Sequence, residues 1–155
     1  MFKKLMLMSI SALMLSSFTQ KENIQKITKK SDLYMLIGTY TSGTSKGIYV
    51  YRFNTETGES SYVSEIDGLS NPSYLNLSRD EKFVYSVGEN EADGGLAYAL
   101  SFDKQNGKLT YLNAQKTHGG SPCYINIDPK GQYVVTANYT GGNVSVFKIK
   151  KDGTL

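Results

Sequence analysis

From residue 33 to residue 155, hydrophobic and polar positions fall into short runs, and none of them carries a helical period. The sharpest case is residues 119–148, GGSPCYINIDPKGQYVVTANYTGGNVSVFK. It predicts three strands, SPCYINI, QYVVTANY and NVSVFKIK, joined at Asp128-Pro129-Lys130-Gly131 and at Thr140-Gly141-Gly142. Those turn residues preset φ or tolerate positive φ, as tight reversals require. Upstream, LYMLIGTY, IYVYRF, SSYVSEI, SYLNLS, FVYSVGEN, LAYALSF and LTYLNAQK read as strands between polar turns. FVYSV, YVVTA and IYVYRF are apolar at nearly every position, whereas a strand covered on one face alternates. Both of their faces are therefore predicted to be covered.

The pattern recurs. NPSYLNLSRDEKFVYSVGEN, from Asn71, aligns with SPCYINIDPKGQYVVTANYT, from Ser121, at a shift of fifty residues. Pro72 falls on Pro122, Tyr74 on Tyr124, Asn76 on Asn126, Phe83 on Tyr133 and Val84 on Val134. LYMLIGTY, from Leu33, gives a third partial copy over FVYSVGEN and YVVTANYT. A fixed period of this length with several strands per unit predicts an all-β fold, a β-propeller of four-stranded antiparallel blades. A full unit runs SYLNLS, FVYSVGEN, LAYALSF, LTYLNAQ; the first unit lacks the opening strand and the last lacks the closing one. Residues 33–155 are thus expected to supply about two and a half blades, the N-terminal part of a longer propeller. A short open solenoid is the alternative.

The first thirty residues change the picture in one respect. Met1–Lys4 is a short basic start, and Leu5–Phe18 is an apolar run ending in small residues. That layout predicts a secretory signal peptide over residues 1–20, cleaved between Ser16 and Gln20. It is too short for a comfortable span, so no stable membrane span is expected once it is removed. Residues 21–32, KENIQKITKKSD, then form a polar linker to a domain at 33–155. The expected location is periplasmic or extracellular. The net charge of +3 falls to +1 if Lys3 and Lys4 leave with the leader, which argues against nucleic acid as a partner. The single cysteine, Cys123, sits in a strand pattern beside apolar residues and is expected to be buried and structural.

Candidate chemistry is sparse. No nucleophile elbow, metal-ligand spacing or phosphate loop occurs, so neither a metal nor a cofactor is expected. His118 is the only histidine and lies in a loop. Glu56, Asp80, Glu81, Asp103 and Asp128 stand in turns, where carboxylates are ordinary turn formers. In a propeller, the loops after each second and fourth strand share the face around the central channel. Thr39, Tyr40, Asn71, Glu89, Asn90, His118, Ser121, Asn138 and Tyr139 fall there. Of these, Tyr40, Glu89, Asn90, Asn138 and Tyr139 are the candidate substrate-binding residues, able to present hydroxyls, amides and a carboxylate to a polyhydroxylated ligand. The competing reading has the amides capping turns and the rings packing between blades.

LYMLIGTYTSGTSKGIYVYRFNTETGE, LSNPSYLNLSRDEKFVYSVGE and GGSPCYINIDPKGQYVVTANYTGGNVSVFKIKKDGTL together resemble the lactonase family of seven-bladed β-propellers. Its best-known members are the bacterial propeller-type 6-phosphogluconolactonases. The resemblance runs from about Leu33 to Leu155 and rests on order and spacing: IGTYT, a P-S-Y strand before a D-E-K-F turn, G-S-P, then A-N-Y-x-x-G-N-V-S-V-F. It implies metal-free hydrolysis of a sugar-derived lactone, typically 6-phosphogluconolactone in the pentose phosphate branch of glucose metabolism, by a monomer. It also implies that the catalytic His, Arg and Glu lie mainly in later blades, beyond Leu155, so that residues 33–155 alone are expected to be inactive. Two departures stand out. Tyr124 occupies a place where relatives often carry His, and Arg52 and Arg79 are the only arginines. An exported member would not meet a cytosolic phosphorylated lactone, which leaves another lactone open. A lactone-forming enzyme similar to muconate cycloisomerases, or a non-catalytic exported propeller binding a sugar or a protein, are the other readings.

Overall fold

The computed structural model describes residues 32–91 and 94–155. The expected signal peptide, and the linker up to residue 31, lie outside those residues. Ten strands follow one another: β1 (Asp32–Ile37), β2 (Gly47–Asn54), β3 (Ser60–Asp67), β4 (Leu75–Leu77), β5 (Phe83–Gly88), β6 (Leu96–Asp103), β7 (Lys108–Lys116), β8 (Pro122–Ile127), β9 (Tyr133–Asn138) and β10 (Asn143–Lys148). No helix occurs among the described residues. The strands form three sheets, β1-β2-β3, β4-β5-β6-β7 and β10-β9-β8. The ladders of the second and third sheets are antiparallel throughout.

The chain divides into two units. The smaller comprises, among described residues, Asp32, Leu33 and Arg52–Ser60. Its turn is built around Asn54, whose Oδ1 accepts from the amides of Glu56 (2.9 Å) and Thr57 (3.0 Å), while its carbonyl accepts from Gly58 (2.9 Å). An Asx side chain folding back on its own turn in this way fixes the reversal locally.

In the larger unit, Tyr34–Tyr51 with Ser61–Leu155, two apolar clusters carry the packing. Ile48 and Val50 of β2 meet Val84 of β5 and Leu100 and Phe102 of β6 in the first, where the Tyr34 ring stands edge-on to Phe102 at 5.2 Å. Tyr85 and Val87 of β5 and Ala97 and Ala99 of β6 meet Ile125 of β8, Val134 of β9 and Leu155 in the second. β5 feeds both clusters because successive side chains point to opposite faces, so its nearly continuous apolar run is explained. A fully buried aliphatic side chain contributes about 1.5–3 kcal/mol.

Two sequence expectations are corrected here. β9 is not covered on both faces: Val134 and Thr136 are buried, but Val135 and Ala137 on the other face are only half-buried, and Tyr133 is exposed. Cys123 is exposed rather than buried. The β8–β9 register slips between Pro122 and Tyr124, leaving Cys123 as the extra residue of a bulge, while Pro122 and Ile125 take the buried positions.

The last residues dock on the second sheet. The Tyr85 hydroxyl donates to the Gly153 carbonyl at 3.0 Å, and burial pushes that phenol up to about 12. Asn113 of β7 closes a reciprocal pair with Leu155, accepting from its amide at 3.0 Å and donating to its carbonyl at 2.9 Å. Gly153 is obligatory in this turn: its φ is 83°, and an added Cβ would lie 2.2 Å from the Phe83 ring.

Candidate functional site

The loops that follow β1, β5 and β9 and those that enter β4 and β8 are tied together by short polar contacts, and Asn71 is the hub. Its backbone is left-handed, with φ 44°, a conformation asparagine tolerates better than most residues. That turns its side chain outward to two loops at once. Its Oδ1 accepts from the amide of Thr41 at 2.9 Å, and its Nδ2 donates to the Glu89 carbonyl and to Asn90 Oδ1, both at 3.2 Å. Its own carbonyl accepts from the Glu89 amide at 3.0 Å. Gly38 permits the third loop to approach. A Cβ there would sit 2.3 Å from the Pro72 carbonyl oxygen, so only glycine lets the segment ending in Thr41 lie against the entry to β4. The strand expected over LYMLIGTY accordingly ends at Ile37.

With its amide and carbonyl both fixed by Asn71, Glu89 presents its carboxylate to two hydroxyls. Tyr40 donates to Oε2 at 2.8 Å, and Ser73 donates to the same oxygen at 2.5 Å. The hydrogen bond to Glu89 is the main cause that holds the Tyr40 phenol above its ordinary value. Desolvation and the Glu89 charge add to it, and Ser73 opposes it. Tyr40 therefore stays a hydroxyl donor well beyond neutral pH.

Beside this cluster the edge strands β4 and β8 meet. The rings of Tyr74 and Tyr124 lie 5.0 Å apart, tilted by 38°, and Asn76 Nδ2 donates to Asn126 Oδ1 at 2.8 Å. Both tyrosine rings are exposed. Ser73 and Cys123 precede them at matching positions.

Of the five predicted binding residues, the structure brings Tyr40 and Glu89 into direct contact. Asn90 joins them through Asn71, and its Oδ1 also accepts from the Ser70 hydroxyl at 2.8 Å. Tyr139 stands one loop further on. The Ser121 amide donates to the Asn90 carbonyl at 3.1 Å, and the Tyr139 amide to the Ser121 carbonyl at 2.9 Å, leaving the Tyr139 ring 80% exposed. Asn138 is set apart: its side chain is buried and bonded to Thr136, Asn143 and Ser145, where it holds the β9–β10 turn. Thr39 bonds to Ser45 and the Gly47 carbonyl, and His118 is exposed in a left-handed turn. Ser73, Tyr74, Tyr124 and Asn126 were not singled out as binding residues. Their fifty-residue pairing, Ser73 with Cys123 and Tyr74 with Tyr124, was the signal that could have found them.

A concavity of about 320 Å³ shares Tyr124 and Asn126 with this region and extends over the open face of the third sheet along Val135, Ala137 and Val144. Its floor is the apolar side of a sheet, and Asp128, whose carboxylate is taken up by the amides of its own turn, is the charged residue that lines it, so it reads as packing surface. Among the described residues no group of His, Cys, Asp and Glu side chains is arranged to hold a metal ion. No helix among them is long and apolar enough to cross a membrane.

The family described as Lactonase, 7-bladed beta-propeller, matches residues 34–155. A curated 6-phosphogluconolactonase of Bacillus subtilis (strain 168) is 40% identical over 119 residues, covering 77% of this chain and 34% of the relative. A crystal structure from Bacteroides fragilis NCTC 9343, provisionally assigned as a 6-phosphogluconolactonase, is 54% identical with a TM-score of 0.78, covering 82% of this chain and 35% of that one. The structure of a Pseudomonas aeruginosa periplasmic gluconolactonase is 34% identical with a TM-score of 0.72, covering 79% and 36%. The chain thus spans about a third of the length of the relatives it matches.

Proposed function

The chain belongs to the 7-bladed β-propeller lactonase family, and from that premise we propose that it serves the hydrolysis of a sugar-derived lactone, in the manner of a 6-phosphogluconolactonase. In that reaction water adds to the ring ester carbonyl, the ring C–O bond breaks, and the departing alkoxide takes a proton to give the open hydroxy acid. A base activates the water and donors steady the developing oxyanion. The residues of this chain have a binding role in the proposal. Tyr40, Glu89 and Asn90 hold substrate hydroxyls, Tyr139 closes over the same face, and Asn71 positions the loops.

The observation that carries the reading is the 40% identity to a curated 6-phosphogluconolactonase across the strands that build these loops. The hydroxyl-bridged carboxylate on the loop face supports it, because a polyhydroxylated ring needs acceptors of that kind. Export through the segment at residues 1–20 belongs to the proposal, and the similarity to a periplasmic gluconolactonase supports it. The test is acid release from D-glucono-δ-lactone and from its 6-phosphate, measured at constant pH against the spontaneous rate. Opening of either lactone well above the uncatalysed rate is expected of a full-length propeller that carries these loops together with the later blades. Failure with both would leave a non-catalytic propeller.

A further inference from the structure

Among the buried residues of the first apolar cluster, Tyr98 alone ends in a polar group. Filling the space does not require it, since Phe102 serves the same cluster from the same strand. A hydroxyl placed in an apolar core is costly unless it is bonded. That of Tyr98 accepts from the Ser70 amide at 3.0 Å and lies 3.5 Å from the Ser70 carbonyl oxygen. Burial holds the phenol above its ordinary value, so it stays a neutral hydroxyl. Ser70 immediately precedes the left-handed Asn71, and its own hydroxyl donates to Asn90 Oδ1. The Tyr98 ring also rests against Gly88, where an added Cβ would stand 2.7 Å from Cε2. Gly88 immediately precedes Glu89. One core side chain thus meets the backbone just before each of the two residues joined by the Glu89 amide and the Asn71 carbonyl.

The third sheet repeats the device with a different residue. Tyr98 pairs with Ser86 on β5, and the corresponding place opposite Thr136 on β9 is held by Ser145. The Ser145 hydroxyl donates to the Thr117 carbonyl, in the loop that enters β8. In both sheets, then, a hydroxyl on the third strand ties down the loop entering the first.

We propose that Tyr98 is a positioning residue for the loop-face site: its hydroxyl fixes Ser70, and through it the Asn71 backbone that orders Glu89 and Thr41. Enclosed in the core, Tyr98 acts only through these neighbours. The inference rests on the lactonase reading for what the site binds, but the ordering it claims is measured without turnover.

The experiment is Tyr98→Phe in the full-length propeller, which removes one oxygen and keeps the ring against Gly88. The Glu89 and Thr41 amides, bonded to the Asn71 carbonyl and side chain, should exchange with solvent deuterium at least about tenfold faster. The Tyr133 amide, held by Asp128 in the third sheet, should keep its rate. With D-glucono-δ-lactone, KM should rise about tenfold while kcat stays within about threefold, as expected when binding groups lose their order. Val50→Ala shortens a fully buried side chain of the same cluster. It should lower the urea midpoint and leave both readings in place. Unchanged exchange at Glu89 and Thr41 in Tyr98→Phe, equal acceleration in Val50→Ala, or an unaltered KM overturns the proposal and leaves Tyr98 as packing. A propeller that opens no lactone would end the lactonase reading, and exchange would still decide the role of Tyr98.

Discussion

The second and third sheets are written in nearly the same apolar code, and the structure treats them differently. In the second sheet Tyr85, Val87, Ala97 and Ala99 point one way and are all fully buried. In the third sheet the same places in the ladder are held by Val135, Ala137, Val144 and Val146, since Val144 pairs with Ala137 as Ala97 does with Val87. Yet Val144 and Val146 are 66% and 60% exposed. An apolar run states what a strand face is able to bury, and only the neighbouring sheet decides whether it does. In the second sheet that neighbour is β8 and β9, through Ile125 and Val134.

The largest effects should come from cutting where the two sheets meet. Ile125→Ala removes a fully buried side chain from the second cluster and is expected to destabilise the protein by about 2–5 kcal/mol in a urea titration. Val146→Ala, an aliphatic truncation in the same sheet, should stay within about 0.5 kcal/mol. Equal losses at the two positions would mean that the open face is covered in solution, and would erase the contrast.

A finer contrast lies in the turns that join β4 to β5 and β8 to β9. Glu81 and Gly131 sit at matching left-handed positions, with φ 57° and 68°. Only the second turn has the residue that adopts this conformation freely. Gly131→Ala should therefore cost about 1 kcal/mol by unfolding titration. Glu81→Gly should be close to neutral, because relief of strain is offset by loss of the pair with Lys104. A large loss on Glu81→Gly would show that the ion pair, and not backbone geometry, holds the first turn.

The strands, their order and the fold class were legible because period-two patterning and Gly/Asp/Pro turns are local signals. The extent of burial was not. It misled at β9, whose outer face is open, and at Cys123, where a one-residue bulge reversed the expected side. At the site, Tyr40 and Glu89 could be named as loop-face residues from propeller geometry. Their contact could not, because it spans 49 residues and depends on Gly38 approaching Pro72 and on the left-handed backbone of Asn71. Asn138 looked equivalent to Asn90 by its place at a strand end. The two differ because Asn138 faces Asn143 and Ser145 across its own hairpin.

The smallest expected effect is also the most specific to the comparison. Ser78 and Asp128 do the same work fifty residues apart: Ser78 Oγ accepts from the Phe83 amide at 2.9 Å, and Asp128 Oδ1 from the Tyr133 amide at 2.7 Å. Only Asp128 carries a charge, and its carboxyl is held below its ordinary value, first by the Tyr133 amide and then by those of Lys130 and Gln132, with burial opposing. A lowered folded value means that the group's contribution is present above the unfolded carboxylate range, near pH 4, and is lost as pH falls through the folded value. Asp128→Ser should flatten that part of the acid limb and lower the midpoint slightly at pH 7, where the charged group's contribution is lost, leaving the share owed to Asp80 and Asp152, which are also lowered. Urea midpoints measured from pH 7 down to pH 2.5 check this. An acid limb that kept its full slope in Asp128→Ser would place the titrating groups outside this turn, and the charged and neutral caps would then be interchangeable.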